Sequence, residues 1–589
     1  MLLCLLLGSC TIVKAQSLTN YLATTPNSVT PGNDNTFVGP SAGNNSTTGA
    51  SNVFLGSSAG RSNTTGGENA FVGTIAGFSN TEGFKNTFLG TEAGYSNTTG
   101  GLNNFIGSRA GYSNTTGHNN TFLGISAGST NTTGFANIFI GSSSGMFNST
   151  GSTNTFIGNN SGNKNTTGTN NLMMGISTGF SNETGLDNTI VGGYAAFYSK
   201  TGYANSYLGI YAGYSNQTGH NNVMVGDSAG LNNTVSGNVF VGSKAGLSNT
   251  SGTNNAFLGY QAGNSNTFGF NNTFIGSLAG QIGTEGYNNT FIGSFAGNAS
   301  LKGENNTFIG YAVGASNEGS ENVFVGGYSG RLNYSGTSNT FLGYNAGYRN
   351  STGTKNTFIG NQAGYYNTSG SNNIIIGPNS GTAITTGDDN VLMGYNSQAE
   401  DGLHNATAIG SGSRVAISNA LILGNKANVG IGTSAPTARL EVDSEVDNES
   451  GIRLSRLTAN SPSQLTTADK VLTVDATGRV VLAQTGRYTV QSVADWSDKV
   501  FAPTYQLQPL TEVEKYIKAN QHLPGVPSAG EVVKQGVEVG KMEAKLLEKV
   551  EELTLYSIQL EKELRATKQQ QQAKIDELEK LVKKLLEKK

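Results

Sequence analysis

The sequence predicts a mainly β chain: a parallel β-solenoid (β-roll) of 17-residue repeats, a small β neck and a C-terminal α-helical coiled coil. Three observations predict it. An apolar anchor recurs every 17 residues over most of the 589-residue chain. The repeat part is rich in glycine and poor in charge: Gly is 83 of 589, and residues 1–436 carry 28 charged side chains against 45 in residues 437–589. Residues 541–589 contain no Gly or Pro and carry apolar residues at alternating spacings of four and three. A chain this rich in glycine is either disordered or periodic, and the strict period decides for periodic.

The opening MLLCLLLGSCTIVKAQS has a short apolar run, Leu2 to Leu7, followed by small residues. Residues 1–16 read as an export signal, too short to span a bilayer. Val13-Lys14-Ala15 resembles a cleavage site, and plain cleavage there is the favoured reading. Leu7-Gly8-Ser9-Cys10 resembles a bacterial lipobox, under which Cys10 would be lipidated and would supply the sole membrane attachment. Cys4 and Cys10 are the only cysteines, so cleavage near Ala15 leaves no disulfide. Export implies a cell-surface or extracellular location.

After a leader, 17–32, the array covers 33–432. Its unit is N-T-F-[ILV]-G-x-x-A-G-x-x-N-T-T-G. The anchors begin Phe37, Phe54, Phe71, Phe88, Phe105, Phe122, Phe139 and Phe156, and continue through Met173, Ile190, Tyr207 and Met224. One residue drops out before Phe240 and one before Phe324. Each unit is expected to hold one strand of about five residues, such as 86–90, bounded by turn residues, with a second short extended piece over x-x-A-G. Glycines supply corners with φ > 0. A 17-residue coil buries no core alone, so units must stack. At ~4.8 Å per strand, some two dozen turns would make a rod of about 110–120 Å. Equivalent Asn and Thr would form ladders along it. That duty accounts for the many N-x-[ST] sequons without any sugar.

Phe88 and Leu89 are adjacent, and both positions are apolar in nearly every unit. Successive strand side chains point to opposite faces. One face fills the coil, and the other needs a second surface, most simply an identical chain. A homo-oligomer is therefore expected, and three chains suit so thin a coil.

The repeat resembles the heads of trimeric autotransporter adhesins. It is still more similar to the N-T-F-I-G-x-x-A-G arrays of secreted Bacteroidetes-type proteins and phage tail fibres. The resemblance covers roughly 33–432 and implies a trimeric β-roll used for display or adhesion. The chain departs from the autotransporters in that the sequence shows no anchor barrel at its C-terminus.

Residues 433–490 lose the period and alternate apolar with polar, as half-buried strands do. Residues 491–540 carry Trp496, the single tryptophan, then two expected helix starts: a capping box Thr511–Glu514, opening a helix over 512–520, and another, Ser528–Glu531, in a helix ended by Gly536. This stretch resembles a fibre C-terminal module related in position to phage-fibre chaperones. Over 541–589, Leu546, Val550, Leu553, Leu560, Leu564, Leu578, Leu581 and Leu585 form a coiled-coil seam. The coil is expected to trimerise the chain and hold the low-information repeats in register.

Catalytic and binding candidates are few. Ser497 and Lys499 are the autoproteolysis candidates, since self-cleaving fibre chaperones use a Ser with a nearby Lys. The chain lacks the rest of that pattern, and a polar turn is favoured. Asp388-Asp389 and Glu400-Asp401 are the only carboxylate clusters of the array, and a glycosidase would need such a pair in a groove. Of the four histidines, His118, His220, His404 and His522, the first two occupy the same loop position of different repeats with no second ligand at metal spacing, and His522, before Leu523-Pro524, reads as a structural capping group. No cofactor, metal or catalytic group is expected. With a net charge of −3, the chain lacks the basic face that nucleic acid requires. Variable corner residues such as Tyr95, Tyr112, Phe135, Tyr214 and Tyr287 are the expected contacts for a surface ligand, protein or glycan. The expected function is a non-enzymatic adhesin or display rod. The alternative is a tail-fibre-like protein with a self-cleaving chaperone end.

Overall fold

The computed structural model describes residues 21–22, 32–445, 452, 470–474, 480–484 and 496–588. The signal segment 1–16 with Cys10, nearly all of the leader and much of the neck lie outside the described residues. The chain divides into two compact units, Met1–Ile452 and Arg453–Lys589.

The first unit contains a parallel β-solenoid of about 23 turns with a 17-residue repeat. Residue i pairs with i + 17: Thr87 with Asn104, Phe88 with Phe105, Leu89 with Ile106. The two shortened turns keep the columns aligned, with Met224 opposite Phe240 and Phe308 opposite Phe324. The missing residue is absorbed in the corner after Asn233 and after Asn317, where each Asn meets the Asn five positions on, at 3.0 and 3.3 Å.

Strands are three residues long, as in Thr87–Leu89, shorter than the five expected. The reason is local. The Asn86 amide donates to the Asn69 side chain at 3.0 Å instead of to a strand carbonyl. Gly90 then leaves the strand at φ +142°, and a Cβ there would lie 2.5 Å from the Gly107 oxygen. The x-x-A-G stretch is not the second extended piece expected; it is a pair of left-handed corners, with Glu92 at φ 60° and Gly94 at φ 57°. Only the last turns carry short strands there, Gln398–Ala399 and Arg414–Val415.

Turn-to-turn hydrogen bonds continue around these corners. Gly94 donates to Ala110, Ser96 to Tyr112 and Thr98 to Thr115, while Gly90 donates back to Val72 and Leu102 back to Phe84. Backbone groups outside the strands are thereby satisfied.

The interior consists of columns of like residues. Phe rings stack from Phe37 to Phe156, with centroids 4.7–4.9 Å apart. Two Asn columns flank them. Asn86 Nδ2 donates to Asn69 Oδ1 and to the Gly100 carbonyl, and Asn97 Nδ2 donates to Asn80 Oδ1 at 2.7 Å. The Thr98 hydroxyl donates to the Thr115 carbonyl at 3.0 Å. Asn97, which opens a sequon, is fully buried, as its ladder role requires and as a sugar would forbid.

A parallel pair, Val429–Ile431 with Leu440–Val442, follows the array. In the second unit an antiparallel pair joins Lys470–Val474 to Val480–Gln484. Then come a 3-10 helix, Ser497–Phe501, and helices α1 (Leu510–Asn520), α2 (Ala529–Gln535) and α3 (Val539–Leu586). The Ser528–Glu531 capping box forms, and Gly536 ends α2 at φ 67°. The Thr511–Glu514 box does not open α1, whose N-cap is Pro509. Among the described residues, no helix is long and apolar enough to cross a membrane.

Replacing Phe105 by Ala is expected to cost about 3–5 kcal/mol, the loss of a fully buried ring. Gly111→Ala should also destabilise, because its Cβ would sit 2.5 Å from the Phe105 ring at a backbone φ of 59°. Denaturant unfolding of the two variants measures both.

Candidate functional site

The three-residue strand decides which side chains are offered to the outside. Its middle residue points in and its last residue points out: Phe88 is 0% exposed and Leu89 46%. Leu55, Leu123, Met174, Leu208 and Leu258 repeat that exposure along one stripe. Both positions are apolar, but only one belongs to the core of a single chain.

The corner residues form two separate ring columns. One follows the Ala-Gly corner: Phe78, Tyr95 and Tyr112 stack at 5.2 and 5.0 Å, Phe180, Phe197 and Tyr214 at 5.0 and 5.5 Å, and Tyr348 on Tyr365 at 5.1 Å. The other follows the Thr-Gly corner: His118 on Phe135, Tyr203 on His220, Phe270 on Tyr287. Cations cover several rings of the first column, Arg61 over Phe78, Arg109 over Tyr112 and Lys164 over Phe180, each a modest attraction of about 0.5–1 kcal/mol at an exposed site. Tyr95 and Tyr112 are thus brought together, whereas Tyr214, Phe135 and Tyr287 belong to three different stacks.

The turn from Ile190 to Asn216 departs from the repeat inside and outside at once. Ala196 stands where every other regular turn from Gly43 to Gly381 has glycine, and it holds φ 50°. A non-glycine residue in that conformation costs about 1–2 kcal/mol. Its Cβ is accommodated because the inward residue of this turn is Ile190 rather than Phe. Ser199 replaces an Asn, leaving the buried Asn182 Oδ1 without a hydrogen-bond partner. The same ladder also lapses at Ser46, Gly283, Ser300 and Ile384, and the Asn367 oxygen facing Ile384 is left unpaired as well. Asn216 Nδ2, lacking an Asn one turn back, donates to the buried Tyr207 hydroxyl. Burial pushes the Tyr207 phenol well above its ordinary range, with hydrogen bonds from Asn216 and Asn222 only partly opposing it.

Outside, the same turn gathers Tyr194, Phe197, Tyr198, Tyr211 and Tyr214. Tyr198 stands at 86° to Phe197 and at 79° to Tyr214, with centroids 4.9 and 5.1 Å apart. Tyr211 stacks on Tyr194 at 5.5 Å and meets Tyr214 at 74°. Tyr198 is 45% exposed and Tyr211 39%. Of this group the sequence reading singled out Tyr214 alone. The missed signal was the coincidence of Ala196, Ser199 and Tyr207 with a run of outward aromatics.

Of the four carboxylates weighed as catalytic, Asp388, Glu400 and Asp401 are engaged within the array's last turns. Asp401 accepts from the Thr385, Thr386 and Gly402 amides at 2.7, 2.9 and 2.9 Å, and from the Thr385 hydroxyl. Burial would raise its pKa, but these donors outweigh that and hold it down to about 2. Glu400 pairs with Arg414, and Asp388 accepts the Ser371 amide at 2.7 Å, 3.7 Å from His404. No group of three metal-ligating side chains occurs among the described residues.

In the second unit, Lys499 Nζ lies 3.1 Å from Glu548 on α3, which also takes Lys545 at 2.8 Å. Burial would raise the Glu548 pKa, and the two lysines outweigh it to lower it. The Tyr505 hydroxyl donates to Glu552. Lys499 thus ties the 3-10 helix to α3; the Ser497 side chain lies outside the described residues. A groove of about 900 Å³ runs between the 505–525 segment and α3, lined by Val513, Ile517, Leu523, Leu546, Val550 and Leu553.

Comparison with protein-family models, curated proteins and solved structures gives no match.

Two outcomes are expected. Phe105→Ile should relieve part of the cost of Gly111→Ala, reproducing the Ile190–Ala196 pairing, with a coupling of about 0.5–3 kcal/mol in a double-mutant cycle. Asp401 has a depressed folded pKa, so its contribution is present above the ordinary carboxylate range and lost as pH falls from about 4 toward about 2. Thermal melts at pH 5 and pH 2 should show a smaller acid loss for Asp401→Asn than for the unaltered chain.

Proposed function

We propose that the chain is a non-enzymatic extracellular or cell-surface fibre, an adhesin or display rod, that works as a homotrimer. The observation that carries this reading is the outward apolar stripe. Leu, Ile, Val or Met occupies it in nearly every turn, and monomers rarely expose a continuous apolar strip beyond about 300–600 Å². An identical chain with the same axial repeat meets it turn for turn. The exposed face of α3 supports the same reading: Leu546, Val550, Leu553, Leu560 and Leu564 are all open to solvent in the single chain, at coiled-coil spacing.

In this reading the coiled coil sets register and the array carries its corner residues along the axis. Repetition of weak contacts would raise avidity without any single strong site. Lys499, tied to Glu548, favours a structural part for the 3-10 helix over the self-cleaving alternative. The export signal read over residues 1–16 and the resemblance to secreted and tail-fibre arrays both support this reading.

Static light scattering of the purified protein should give three times the chain mass. Leu553→Asp with Leu560→Asp should lower that mass while the β signal of the array persists. A monomeric mass for the unaltered chain overturns the proposal.

A further inference from the structure

We infer that the groove between the 505–525 segment and α3 is a docking site for a second copy of this chain, filled by Leu547 from the neighbouring α3. The inference rests on the trimer reading and deepens it. Leu546, Val550 and Leu553 form the floor of the groove, and Val513, Ile517 and Leu523 form its wall. The floor residues are also seam positions of the coil. Groove and seam are therefore one continuous apolar surface, and a helix that covers the seam also meets the wall.

α1 shows why the wall needs cover. Its segment runs antiparallel to α3, from Gln508, whose carbonyl accepts the Tyr556 hydroxyl, to Gly525, which lies against the Lys545 side chain. Yet none of the 11 residues of α1 is buried in the single chain, and Ile517 and Leu523 are both exposed. A helix this short draws its stability from packing an apolar face. The face that carries Val513 and Ile517 has α3 on one side and nothing of its own chain on the other.

The complementary knob is on the same chain. Leu547 is 40% exposed, and it belongs neither to the seam nor to the groove. At 3.6 residues per turn, Lys545, Lys549, Glu552 and Tyr556 share the flank of α3 that faces the groove, while Leu547, Thr554 and Ile558 share the opposite flank. These two flanks, on either side of the seam, are what neighbouring helices of a parallel coil bring together. Chains that register like arrays run parallel, so Leu547 of one copy comes level with Lys545 and Leu523 of the next. An apolar residue there stands where Glu or Lys is usual.

Charge points to the same occupant. The rim charges of the groove are paired inside the chain, Lys545 and Lys499 on Glu548 and Lys549 on Glu552, which suits an uncharged guest. Leu547, Thr554 and Ile558 bring no charge, and Glu551, one turn on from Leu547, is half-buried and engaged within its own chain. Each chain gives its Leu547 and receives that of its neighbour. Such a heterologous contact closes into a ring around an axis.

The test uses the full chain with Cys4→Ser and Cys10→Ser, which leaves no other thiol. Leu523→Cys and Leu547→Cys are placed on separate chains with different tags, co-expressed and treated with a short bismaleimide. Every sample is weighed by light scattering before cross-linking. The expected product is a covalent pair holding one chain of each tag. Neither cysteine alone should give a pair, and both on one chain should give a covalent trimer. Ile517→Cys in place of Leu523→Cys repeats the test from α1, so loss of folding in one variant leaves the other. Leu523→Cys with Ile558→Cys, about 16 Å along the same flank from Leu547, should link far less. A trimer that gives no covalent pair, links only within one chain, or links as strongly to Ile558 overturns the docking and leaves the trimer standing. A dimer that joins Leu523 to Leu547 between chains retains the docking and sinks the trimer. A monomeric parent overturns both.

Discussion

Residue i hydrogen-bonds and stacks against residue i + 17, and each column of the array inherits that pairing. Thr87 opposite Asn104 and Leu89 opposite Ile106 set the strand register. The same offset puts Phe88 on Phe105 at 4.8 Å, Asn97 on Asn80 and Thr98 on Thr115. A single geometry therefore satisfies backbone, amide and ring together. It also explains why the fold tolerates so much glycine. Gly90 and Gly94 sit at positive φ where a Cβ would strike the next turn's carbonyl or the turn's own ring, so each glycine lets neighbouring turns close to the spacing the ladders need.

Pairing like with like has a cost in uniqueness. A slip by one whole turn sets Phe against Phe and Asn against Asn again, so the regular turns hardly distinguish one register from another. The irregular turns do. The short corners after Asn233 and Asn317 and the Ile190–Ala196–Tyr207 turn each fit one place only. Irregularity that weakens the array locally thus labels position along it.

Much of this was legible in the sequence. The period gives the parallel register, the stacked interior and the ladders, because a column is simply a residue type repeated at a fixed offset. The Ser528–Glu531 cap and the Gly536 stop follow from residue type at fixed spacing and form as expected. Other features were not legible. Strand length fell from five to three because Asn86 spends its backbone amide on a side chain, a choice invisible in the pattern. The left-handed corner at Glu92 is filled in other turns by Ser58, Ile75, Arg109 and Tyr211, so no turn-forming residue type marks it. The Thr511–Glu514 spacing resembles a cap, yet Pro509 already starts α1 two residues before Thr511. The candidate site was hardest of all, since its rings are scattered in sequence and meet only through the offset of one turn.

The neighbouring apolar positions of the strand show where single-chain reasoning ends. Alternation requires Phe88 and Leu89 to face opposite ways but does not say which faces in. The glycine column decides it: Gly94 clears the space beneath the Phe88 ring, and the ring fills the coil completely. Nothing within one chain then remains to cover Leu89. Leaving one such residue open is ordinary, because much of any folded surface is apolar. Repeating it along some 23 turns turns a tolerable exposure into a continuous apolar strip with the same axial spacing as the interior columns. The regularity that builds the interior therefore also builds the exterior strip on which the proposed homotrimer rests.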